Sequence, residues 1–266
     1  VTEPTYRIAP KTWLGWVLGL VYAPIFISVM IASGIEYDEF TDSATNLRDA
    51  AVVPLVVMVV LVAVAITVLG WWRPVMRDHL GAPRVWRWIP VVFVVAIVAG
   101  IDYSRLGKLD TDFILWALVA GVLVGFAEEG TYRGLAVVAF RSGYSELHVW
   151  LFSSLLFMYL HAWNFLAGQD IGPTITQLVF TFVLGSVLYA VRRATGTLII
   201  PMLLHGGWDF ASFTASSDAF KDSEELVDPR AVPVSFLLLI VMAVLFAVGF
   251  KKALRTDDTT ATPAAA

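Results

Sequence analysis

Six ionisable residues stand inside otherwise apolar stretches of this chain: Glu128, Glu129, Arg133, His161, His205 and Asp209. A charge at mid-bilayer costs about 2.5–3.5 kcal/mol on insertion scales, so such residues normally face a bundle interior and act there. In Glu128-Glu129-Gly130-Thr131-Tyr132-Arg133, a helix sets Glu129 and Arg133 at i,i+4, where they pair. Glu128 lies about 100° round the helix from Glu129 and is free to face a water. One carboxylate held by arginine beside one facing water is the raw material of general-base chemistry. Taken alone, two Glu and an Arg near a helix end more often make an interfacial cluster. His161 follows Phe157 by four residues, so the ring shares its face and packs on the imidazole. A lone His in an apolar helix is more often a hydrogen-bonded packing residue. His205 and Asp209 again share a face at i,i+4, and the Gly206-Gly207 pair between them admits another helix. Three such groups on three separate stretches nearly exhaust the intramembrane charges, and that coincidence argues for one site.

The elements that must position them are membrane helices. Of 266 residues, 58% are hydrophobic and 15% charged, with a mean hydropathy of +0.76. An average soluble domain is about 25% charged, so an ordinary soluble enzyme and a disordered chain are both poor fits. The apolar residues fall in eight blocks, near 13–33, 51–72, 86–101, 112–132, 147–166, 173–191, 197–214 and 233–250. A hydrocarbon core about 30 Å thick needs about 20 helical residues. The expected fold is therefore all-α, a polytopic helical membrane protein with about eight transmembrane helices. It divides into residues 1–110 with helices one to three, a core at 111–215 with helices four to seven, and 216–266 with an acidic loop, helix eight and a disordered tail. The pairs Gly15/Gly19 and Gly121/Gly125 read as helix-packing surfaces, the second bringing another span close just before Glu128. There is no Cys, which removes disulfides, thiol nucleophiles and Cys zinc sites. A net charge of −4 and the lack of a basic cluster exclude nucleic acid as a partner.

Charge sets the expected orientation. With the N-terminus inside, the inner segments hold 13 of the Lys and Arg residues and the outer loops 5, which favours cytosolic N- and C-termini in a prokaryotic plasma membrane. Depth counting at 1.5 Å per residue sets His205 about 12 Å from the inner face and suggests a pocket open to the cytosol.

Glu-Glu-x-x-x-Arg, Phe-x-x-x-His and His-x-x-x-Asn/Asp, in that order on successive helices, resemble the CAAX protease and bacteriocin-processing (CPBP, or Abi) family, which includes the Ras-converting CAAX prenyl endopeptidases. The resemblance covers about residues 110–215. It implies a CAAX-protease-like core and an intramembrane endopeptidase acting on a membrane-associated, in some members prenylated, protein or peptide. By resemblance Glu128 is the base that activates water, Glu129 is positioned by Arg133, and His161 orients the water. His205 and the residue at 209 stabilise the oxyanion, and Phe157 belongs to the substrate pocket. This chain departs at Asp209, where the prenyl proteases have Asn. An ionised Asp cannot donate to an oxyanion, so Asp209 is protonated, or orients His205, or the site holds a cation. Glu128, His161, His205 and Asp209 would then be a Zn²⁺ ligand set, although the cofactor-free glutamate mechanism is preferred. Two rival readings are a non-catalytic bacteriocin-immunity or scaffolding protein and a proton-coupled transporter. The second lacks the repeated Glu-Glu segment that internal symmetry would bring.

Overall fold

The computed structural model describes residues 6–217 and 231–258 of the chain. The expected acidic loop at 218–230 and the tail beyond 258 lie outside the described residues. Helices in chain order are α1 (Thr12–Ile31), α2 (Ala44–Leu69), α3 (Ile89–Gly100), α4 (Thr111–Phe140), α5 (Glu146–Ala167), α6 (Ile171–Thr195), α7 (Ile199–Ser216) and α8 (Ala231–Asp258). No strand occurs among the described residues; the nearest approach is an isolated bridge between Arg77 and Thr197. The protein is an all-α, multi-pass integral membrane protein. Large apolar side chains such as Val60 and Val64 of α2, Val122 of α4 and Val248 of α8 are exposed, which only a lipid environment satisfies.

Among the described residues, six helices are long and apolar enough to cross a bilayer: α1, α2, α4, α5, α6 and the Leu237–Leu254 part of α8. The expected count of eight is not reached on these grounds. At 12 residues α3 extends only about 18 Å. The 18 residues of α7 are diluted by His205, Gly206, Gly207 and Asp209. That dilution has a packing counterpart. A Cβ added to Gly121 of α4 would run into the carbonyl oxygen of Gly206, and one on Gly206 into that of Gly121. A Cβ on Gly125 would meet the Met202 carbonyl. The two backbones therefore touch along an antiparallel crossing, as the Gly121/Gly125 spacing leads one to expect. Gly15 and Gly19 of α1 instead receive the side chains of Phe140 and Leu156.

At the end of the bundle where α4 and α6 stop and α5 and α7 begin, buried charges tie the chain together. Arg141 bonds Glu146 at 2.5 Å and Asp78 at 3.1 Å, and Arg192 bonds Asp78 at 3.1 Å. Tyr189 donates its hydroxyl to Glu146. Burial by itself would raise the Asp78 carboxyl, but Arg141 and Arg192 hold it down at about 2. Arg133, Arg192 and Arg193 are thus buried side chains and not loop charges, so the water-facing basic excess is smaller than the raw count implies.

Candidate active site

The first glutamate pair sits where α4 changes its winding. Residues Gly130–Leu135 form a π-helical turn, a device that recurs at functional sites because it redirects side chains within a continuous helix. Glycines at 130 and 134 ease this, and the Thr131 hydroxyl takes up the Ala127 carbonyl at 2.7 Å. The expected Glu129–Arg133 pair forms at 2.8 Å with both side chains fully buried. The same Glu129 Oε1 also accepts from His205 Nδ1 at 3.0 Å, across the α4–α7 crossing. Arg133 holds Glu129, and Glu129 holds His205.

With Nδ1 engaged, His205 turns Nε2 towards two further carboxylates. Glu128 Oε2 lies at 3.9 Å and Asp209 Oδ2 at 3.7 Å. Glu128 Oε2 is buried and accepts no hydrogen bond among the described residues, so its lone pairs are available to a proton donor. On α5, His161 Nδ1 donates to the Phe157 carbonyl at 2.9 Å. That bond fixes the tautomer and leaves Nε2 as an acceptor. Glu128, His161, His205 and Asp209 all line one cavity of about 380 Å³. Glu129 and Arg133 do not line it and stand behind its wall.

The direction of this cavity corrects one expectation. Its remaining walls come from Met30 near the end of α1, Tyr37 and Thr41 of the following segment, Asn164 at the end of α5 and Ser216 at the end of α7. It therefore opens at the end of the bundle opposite to the Asp78–Arg141–Arg192 cluster. A pocket open to the cytosol and a cytosolic N-terminus are incompatible in this fold. Depth counting failed because His205 and Glu128 form the floor of the cavity, and a floor near one face says nothing about the mouth.

Phe157 is the second correction. It is fully buried and absent from the cavity wall. Its ring lies 4.0 Å from the Arg133 guanidinium carbon, 4.9 Å from the His161 ring and 5.5 Å from the His205 ring, edge-to-face with both imidazoles. It spaces the site residues from behind the cavity wall. Among the described residues no three His, Asp or Glu side chains converge closely enough to hold a metal ion. Both Nδ1 atoms are committed, to a backbone carbonyl and to Glu129, which leaves each Nε2 as the free ring nitrogen.

Sequence reasoning missed Tyr37, Asn164 and Gln177, which join the same wall. Asn164 had a signal, since it stands one turn beyond His161 on the same helix face. Tyr37 and Gln177 are 140 positions apart and had none.

Residues 110–211 match the family described as type II CAAX prenyl endopeptidase Rce1-like. The resemblance drawn from the three motifs is borne out over that stretch. No curated protein and no solved structure matches the chain.

Proposed function

From the Rce1-like character of residues 110–211 we propose that the protein is an intramembrane endopeptidase that hydrolyses a peptide bond in a membrane-associated protein or peptide. Glu128 takes a proton from a water, whose oxygen attacks the scissile carbonyl carbon. His161 Nε2 accepts the water's second hydrogen bond and orients it. His205, protonated on both ring nitrogens beside Glu129 and Asp209, donates its Nε2–H to the oxyanion, and Glu128 passes its proton to the leaving amine nitrogen. The products are a carboxylate and an amine, with one water consumed. The observation that supports this reading most is the relay Arg133–Glu129–His205, which turns Nε2 towards Glu128 at the cavity floor.

Asp209 separates the glutamate mechanism from a metal one. In the glutamate mechanism Asp209→Asn keeps the shape and adds a donor where charge develops. Cleavage of a membrane-anchored peptide is then expected to be retained or raised, and to ignore chelator; one oxyanion donor is worth about 2.7–4 kcal/mol in well-studied sites. A metal mechanism predicts the opposite sign, because a charged ligand oxygen is lost. Stoichiometric zinc in purified protein, chelator-sensitive turnover and an inactive Asp209→Asn together would overturn the metal-free mechanism.

The basic end of the bundle is proposed to face the cytosol, which places the cavity mouth on the outer side. The absence of Cys makes this directly measurable. Glu39→Cys, on the exposed segment beside the mouth, should react with a membrane-impermeant thiol reagent in intact cells. Arg87→Cys, at the other end, should react only after lysis. The reverse pattern would put both the mouth and the substrate in the cytosol.

A further inference from the structure

Between the cavity floor and its mouth runs a chain of neutral polar groups from three separate elements. Asn164 Nδ2 in the last turn of α5 donates to Gln177 Oε1 of α6 at 3.0 Å. Gln177 Nε2 donates in turn to the hydroxyl oxygen of Tyr37 at 3.0 Å, in the short 3₁₀ turn Tyr37–Glu39. All three residues line the cavity that Glu128, His161, His205 and Asp209 line. Asn164 stands three positions beyond His161 and so continues its face outward.

The chemistry of this chain is that of a peptide backbone. Each amide offers two N–H donors and a carbonyl acceptor, and these bonds use one N–H of each and one carbonyl. Tyr37 accepts from Gln177 and keeps its own O–H to give. That proton stays on, because burial lifts the phenol to about 12, with the hydrogen bond from Gln177 opposing and the charges of Asp209 and Glu128 adding to the rise. These three groups carry no charge themselves, although Asp38 beside Tyr37 also borders the cavity, and a strip of neutral donors and acceptors gains nothing from an acyl or prenyl chain laid against it. It suits an extended main chain, which carries the same groups in alternation.

The chain also staples the Tyr37 turn to α5 and α6, and that alone would justify a buried amide pair. A staple, however, has no need to border the cavity whose floor carries Glu128 and His205. We propose that Tyr37, Gln177 and Asn164 form the subsite that holds the main-chain amides of the substrate beside the scissile bond. The selected chemical class is an unstructured peptide segment read by its backbone, with few demands on its side chains. This inference rests on the endopeptidase reading, and the two can fail separately.

The test uses the full chain in nanodiscs with Glu128→Gln, so that peptide binds without being cut. The probe is a fluorescent peptide with an N-terminal acyl anchor, and a second version carries one N-methylated peptide bond near the cleaved position. Gln177→Leu is expected to weaken binding of the plain peptide about tenfold, the upper range for a neutral hydrogen bond. N-methylation should weaken binding to the Glu128→Gln reference similarly, yet add little in the Gln177→Leu background. A merely structural staple would lower the melting temperature and leave the N-methyl penalty unchanged in the variant, which overturns the proposal. So does unchanged affinity on Gln177→Leu. If Gln177→Leu does not fold, Tyr37→Phe removes a single O–H and should show the same coupling at a few-fold scale. Cleavage by the wild-type chain reports the endopeptidase reading independently. A protein that fails to cut but shows the coupling keeps the subsite and loses the protease.

Discussion

Replacing Glu128 by Gln should slow peptide cleavage by about 10²–10⁴-fold, the usual contribution of a positioned acid–base group. The substitution keeps the shape of the side chain and removes the ability to take a proton. Glu128 is 6% exposed and makes no hydrogen bond through Oε2, so the fold should survive it. The measurement is turnover of a membrane-anchored peptide by purified protein, with the melting temperature in detergent as the control. Glu128→Gln turning over at the wild-type rate would remove Glu128 as the base. Asp209, the other carboxylate facing His205 Nε2, would take its place as the candidate, since it lies 3.7 Å from that atom on the same cavity wall.

Arg133→Met carries the second large effect, through both stability and position. The guanidinium is fully buried against Glu129 and over the Phe157 ring. Removing one partner of a buried pair costs about 3–5 kcal/mol where the other charge is left without compensation; His205, 3.0 Å from Glu129, still compensates in part, so the lower end of that range is expected. Glu129 then holds His205 less firmly, and a displacement of about 1 Å at a catalytic group can cost about 10²-fold in rate. The double variant Arg133→Met with Glu129→Gln separates the two effects. It buries no lone charge, so most of the stability should return. Cleavage should stay low, because the imidazole has lost its ionic partner at Nδ1. Full recovery of cleavage in the double variant would show that the relay only stabilises the fold. A single Arg133→Met as stable as wild type would deny that the pair is buried at all.

The candidate site residues were legible in the order of residues because local geometry places them. An i,i+4 spacing decides that Glu129 meets Arg133, and that Phe157 packs on His161, whatever the rest of the chain does. The Gly121/Gly125 spacing likewise announces a close crossing, since a missing Cβ is a local property. Composition alone determines that the helices lie in lipid. The partner across the crossing was not legible. That His205 Nδ1 belongs to Glu129, 76 positions away, depends on how deeply α7 slides along α4. The mouth of the cavity was decided in the same way. It depends on where Tyr37, Asn164 and Gln177 meet, and these come from three elements with no shared spacing. Phe157 shows the limit most plainly. Its position beside His161 was local and correct, but its burial under Arg133 and His205 was a property of three helices at once. Helical periodicity fixes directions around one axis. Depth, sidedness and which group faces the cavity are set by the offsets between axes, and those arise only when the side chains of separate helices pack against one another.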